Sequence, residues 1–333
     1  MSTHARLPWY LALGFCGCLL VFVAIDQSYW WSTDPEYSFG FLAPLFCSYI
    51  VWARWPRIRL SLDAAQAPGA PKLFGIPGLF LSSCAFALLV FGGLAFVLGS
   101  LMRADSVVAI PAATFTLTVG AILTSFGLLF LCIPGPSVTS AASGLVKDSR
   151  IAVLSHFIFP LGIWLLSARL LHAVEDGVSL FLQGKVVAFV SMIFDLAGAT
   201  LIREGNVLLL PTGRVGVAEA CSGIRSLTGC LFCGAFLGAL FFRRLTPKVL
   251  LLLAAFLLAF LTNLLRNLFL TFLAYRHGPA AIHGSVHDIT GYAVLGLTTV
   301  GLLLLVSLLK RIGEIRIGFG KSAVHFRGSL NRR

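Results

Sequence analysis

Residues 74–101 read FGIPGLFLSSCAFALLVFGGLAFVLGSL and contain no charged side chain. A run this long and this apolar has one favourable solvent, because about 20 apolar residues are needed to cross the ~30 Å hydrocarbon core of a bilayer. Seven further segments pass the same test, at about 9–25, 38–53, 107–133, 151–171, 222–242, 249–273 and 290–309. Lipid leaves backbone polar groups no water to bond, so such segments are helices. Charged residues make up 11% of the chain, against about 25% in soluble domains. The fold class predicted is an all-α polytopic membrane protein with about eight transmembrane helices. The first apolar run ends in DQSYWW rather than in a small-residue cleavage site, so it reads as the first span and not as a cleaved signal.

The net charge of +12 would suit a nucleic-acid partner if the charges formed a patch, but they do not. With the N-terminus in the cytoplasm, alternate loops and the tail on the inner side hold 17 of the 25 basic residues, and the outer loops hold ten of the 13 acids. That bias is a topology signal. It predicts a cytoplasmic (inner) membrane protein with both termini inside, in contact with membrane lipids and not with nucleic acid. Residues 1–310 read as a single transmembrane domain and 311–333 as a basic cytoplasmic tail.

One outer segment, about 172–221, is long enough to be an insertion. SLFLQGKVVAFVSMIFDLAGATL reads as an amphipathic helix on the outer leaflet or as a ninth span. A ninth span would put the Arg-rich tail outside and is rejected on the charge bias. LIREGNVLLLPTGRVGVAEA then reads as short strands, hairpin-like, turning at EGN and PTG. This insertion leads directly into VAEACSGIRSL.

Polar groups inside apolar runs are functional hypotheses by default. Seven of the eight cysteines lie in or beside such runs. That includes the Cys230/Cys233 pair, whose reading is core packing. Cys221 differs: it precedes the sixth span, where open N–H groups and the helix dipole favour a thiolate. Ser222 suits a cap and Gly223 a close approach by a ligand. Position alone divides Cys221 evenly between a packed thiol and a nucleophile. Asn263, Arg266 and Asn267 stand at i, i+3 and i+4 on one face of the seventh span, which suggests a polar cavity rather than a snorkelling side chain. The loop YRHGPAAIHGSVHDITGY carries His277, His283 and His287. Their spacing offers no cysteine or carboxylate partner pattern, so no metal is predicted and no cofactor is implied. His287 stands out because Asp288 adjoins it and the eighth span begins there.

Cys221, Arg266 and His287 come from three elements that open toward one face. A thiolate to attack a carbonyl, an imidazole to protonate the leaving amine and a guanidinium to steady the oxyanion are the parts for acyl transfer from a peptide. Arg225 competes with Arg266 for the last role, Glu219 is placed to orient one of the three, and His277 and His283 are alternatives to His287. A rival reading is a transporter that binds an anionic solute through Arg266, Asn263 and Asn267.

EACSGIRSL at 219–227, NLLRN at 263–267 and HDITG at 287–291 resemble, in order and separation, the exosortase/archaeosortase family of membrane cysteine transpeptidases. DPEYSFGFLAPLFCSYIVWAR at 35–54 is similar to the family's early segment, with Phe39 where a histidine is usual. The resemblance covers about residues 35–300. It implies Cys221 as nucleophile, with Arg266 and His287 completing the site. It also implies a membrane-tethered protein substrate whose C-terminal sorting signal is a short motif, one helix and a basic cluster.

Overall fold

The computed structural model describes residues 6–106, 109–134, 139–141, 148–169, 171–216, 224–242 and 244–330. Its helices are α1 (Leu7–Thr33), α2 (Leu42–Gln66), α3 (Gly75–Ala104), α4 (Pro111–Leu131), α5 (Ser149–Leu154), α6 (Ile158–Ser167), α7 (His172–Leu196), α8 (Ile224–Phe241), α9 (Leu245–His277) and α10 (Ser285–Leu330). Its strands are β1 (Ala70–Lys72), β2 (Thr139–Ala141), β3 (Ile202–Glu204), β4 (Val207–Leu210) and β5 (Gly213–Gly216). The all-α polytopic class holds: seven helices are long and apolar enough to cross a membrane. Two departures from the expected eight have clear causes. Arg54, Arg57, Arg59 and Asp63 interrupt α2, and the described part of α8, Leu227–Phe241, is short, so neither is among the seven. The segment read as an amphipathic helix or a ninth span forms the unbroken α7, of which Val174–Leu196 is long and apolar enough to cross a membrane.

The chain divides into two compact units, Met1–Glu175 and Asp176–Arg333. In the first, α3 and α4 approach closely because glycines line their contact. A Cβ on Gly99 would stand 2.7 Å from the backbone nitrogen of Leu117, and Gly92, Gly120 and Gly127 face backbone in the same way. Lipid supplies little hydrophobic drive between helices, so small residues and buried hydrogen bonds do the joining. Gln27 of α1 is fully buried and donates to Thr118 Oγ1 at 2.7 Å, while Ser167 Oγ donates to Gln27 Oε1 at 2.9 Å. Trp30 and Trp31 donate to Thr114 Oγ1 and the Ser167 carbonyl, both at 2.9 Å. The early segment folds as a short 3-10 turn, Pro35–Phe41, before α2; Tyr37 is buried and Gly40 packs on the indole of Trp31.

In the second unit the expected hairpin-like insertion is a three-stranded antiparallel meander, β3–β4–β5. Its first turn is Gly205–Asn206, with Gly205 at φ +62°, and its second is Pro211–Thr212. Leu208 packs with Val186, Val187, Val190 and Phe194 of α7 and with Tyr275. Leu210 and Val215 pack with Leu270, Ala274 and Ile282. Thr212 Oγ1 donates to the Ala274 carbonyl at 2.9 Å and ties the sheet to the last turns of α9. Cys230 is buried beside Leu182, Leu227 and Ala259, where the expected core packing places it.

Candidate active site

Helices α9 and α10 run antiparallel, and their packing sets the site. Leu251 and Ala255 pack against Leu302 and Val306 at one end. Leu258 fills the space at Gly301, where a Cβ would come within 2.7 Å of its Cδ2. Thr262 and Thr298 hydroxyls meet at 3.1 Å, a bond worth about 0.6 kcal/mol between membrane helices. The next contact along this seam brings Arg266 to His287. The Arg266 Nη2 lies 3.1 Å from His287 Nε2 and 3.0 Å from the His287 carbonyl oxygen. Gly291 lies beside the guanidinium, where a Cβ would stand 3.5 Å from Nη2, at van der Waals contact.

Local sequence explains why His287 can be reached. Gly278 and Gly284 adopt φ of +87° and +64°, a region that favours glycine. They bracket the 3-10 turn Pro279–Ile282 and start α10 at Ser285, so His287 sits in that helix's first turn. Asp288 beside it puts a carboxylate where the helix dipole is positive. Its Oδ1 is 3.6 Å from His287 Nδ1, beyond hydrogen-bond distance. Arginine only donates hydrogen bonds. The contact with Nη2 therefore makes Nε2 the acceptor and assigns the ring proton to Nδ1. The carbonyl of His287 accepts from Thr290 Oγ1 as well, at 2.9 Å.

His287 also opens onto a cleft of about 30 Å³, lined by Arg214, Val215 and Gly216 of β5 and by Pro279, Ile282 and His283. Sequence reasoning left Arg214 and Gly216 out of the site. The only available signal was a basic residue in the turn-rich stretch just before the cysteine motif. Asn263 and Asn267 are both buried. They bond to each other: Asn267 Nδ2 donates to the Asn263 carbonyl at 2.8 Å and to its Oδ1 at 3.3 Å. Asn263 borders a separate cavity of about 10 Å³ among Leu182, Leu227, Phe256, Ala259 and Phe260. His277 ends α9. Cys221, Glu219 and Ser222 lie outside the described residues, as does the side chain of Arg225. Among the described residues no cluster of histidine, cysteine and carboxylate side chains could hold a metal ion.

The described geometry thus joins a guanidinium and an imidazole at hydrogen-bond distance, beside a cleft on the strand that precedes the cysteine motif. The chain matches the family model described as transmembrane exosortase (Exosortase_EpsH) over residues 30–304. No curated protein and no solved structure matches it. The family match spans most of the chain and encloses the cysteine, arginine and histidine motifs together, and on that ground this chain belongs to the transmembrane exosortase family.

Proposed function

We propose that the protein is a membrane cysteine peptidase or transpeptidase that cleaves the C-terminal sorting signals of exported proteins at the outer face of the cytoplasmic membrane. Cys221 attacks the scissile carbonyl and forms a thioester. His287 takes up the thiol proton of Cys221 and passes it to the leaving amine, and Arg266 steadies the charge that develops on the carbonyl oxygen. The observation that carries this reading is the Arg266–His287 contact at 3.1 Å within a chain of the exosortase family. Chain connectivity supports it too. Cys221 is the fifth residue after Gly216, which lines the cleft beside His287, a reach of at most about 18 Å. The charge bias supports a topology with both termini and the 311–333 tail in the cytoplasm. A substrate tethered by its own helix would then meet the site in the membrane plane.

The test is processing of a co-expressed exported reporter that ends in an apolar helix and a basic tail. Wild type removes the tail, and Cys221→Ala leaves the reporter full length. Processing that survives Cys221→Ala removes the mechanism.

A further inference from the structure

We infer that the cleft between β5 and the 279–283 turn is an anion subsite, built to take one carboxylate beside the reacting groups, with Arg214 as its principal ligand. This rests on the peptidase reading above and adds to it. The cleft's polar side chains are Arg214, His283 and His287, and its remaining lining is Val215, Gly216, Pro279 and Ile282. Among the described residues no carboxylate lines it. Among the described residues Arg214 makes no salt bridge and its side chain is exposed, as is that of His283. A guanidinium presents donors in a planar fork that fits a carboxylate.

The space sets the size of the ligand. At about 30 Å³ the cleft has room for a small group such as a carboxylate, since about 10–15 Å³ of such space holds one water molecule. Its frame is fixed. Gly213, at φ +139°, lies against Pro279, where a Cβ would come within 2.9 Å of Cγ. Val215 and Ile282 are buried in the core beneath. Position gives the subsite its purpose: Arg214 stands seven residues before Cys221, on the strand whose last residue, Gly216, lines the cleft together with His287. A carboxylate held there lies next to the acyl-transfer centre. It belongs either to a side chain of the cleaved polypeptide near the scissile bond or to the acceptor that takes the acyl group.

The experiment uses the full chain in membranes with the same reporter. A single glutamate or glutamine is placed at successive positions before the reporter's helix. Initial rates give the Glu/Gln ratio of kcat/KM for wild type, Arg214→Gln and Arg214→Glu. In a second arm the thioester is released with glycine or glycinamide as acceptor. A charge-assisted hydrogen bond of ordinary strength predicts a preference for the carboxylate of about ten- to hundredfold in wild type. If the polypeptide supplies the carboxylate, one reporter position shows this ratio, and Arg214→Gln brings it near unity. A lysine at that position then restores cleavage by Arg214→Glu, which also shows that this variant folds. If the acceptor supplies it, the glycine/glycinamide ratio shows the same dependence on Arg214 while acylation is unchanged. Cleavage that depends on Cys221 with both ratios insensitive to Arg214 overturns the subsite and leaves the peptidase reading intact. Cleavage independent of Cys221 removes both.

Discussion

Arg266 holds its partner through one nitrogen, whose contacts at 3.1 Å and 3.0 Å reach the ring and the carbonyl of His287. The arrangement predicts a graded response to substitution. Arg266→Ala removes the cation and should lower kcat about 10²–10³-fold, as loss of an oxyanion donor does. Arg266→Lys keeps a charge but not the planar fork, and should fall between Ala and wild type in the reporter assay; equal activity of all three would exclude a role in turnover. Arg266 was legible in the sequence because a charge stands out in an apolar run. His287 was less so, since three histidines share its loop and only packing decides which one meets the arginine. Asn263 and Asn267 were legible as polar residues on the face of Arg266, but not as a pair bonded to each other. A 3.6-residue period places residues on one face, but it does not say whether two amides prefer each other.

At the level of elements, the helices were legible from apolar run length and their ends were not. Helix α9 spans 33 residues, about 50 Å at the rise of an α-helix, and so exceeds the ~30 Å hydrocarbon core. Arg266 lies 21 residues after its start, roughly 32 Å along it. The helix thus runs four residues past the expected span of 249–273 at each end. The parallel β1–β2 pair had no sequence signal, because three-residue strands carry no usable periodicity. Next to β1 stands a buried ion pair: Asp148 accepts from Leu73 N at 3.0 Å, from Arg150 N at 2.9 Å and from the Arg150 guanidinium at 2.9 and 3.1 Å. Burial pushes the Asp148 carboxyl up, but the bonds from Arg150 and Leu73 outweigh it and hold the group below the usual carboxylate range. A depressed carboxylate stabilises the fold above its unfolded value, near 4, and that contribution is lost as pH falls through the folded value. Asp148→Asn should therefore cost about 3 kcal/mol at pH 7 by stranding the Arg150 charge. The gap to wild type in detergent unfolding should close only below about pH 4. A gap that does not change with pH would contradict this.

Across the whole molecule, solvent was the strongest clue. Lipid dictates helices, and the scarcity of charge in 333 residues made the class plain before any motif was considered. What the sequence could not show was what covers the apolar side of α7, whose valines pack under β4 and against α9. Nor did it show that a small sheet would bring Arg214 to the histidine loop, since that contact depends on tertiary packing of Leu210 and Val215. The enzyme reading joins these levels. A helix pair sets Arg266 on His287, a meander supplies the adjoining cleft, and the chain then runs directly into the cysteine motif. The most direct test is chemical trapping: membranes holding the enzyme and the tailed reporter are quenched in acid, and the adduct is mapped by mass spectrometry. The account predicts the reporter's N-terminal fragment joined through a thioester to Cys221, labile to hydroxylamine and lost in Cys221→Ala. An acyl group on any other residue, or cleavage of the reporter with no covalent adduct under conditions that slow deacylation, would contradict it.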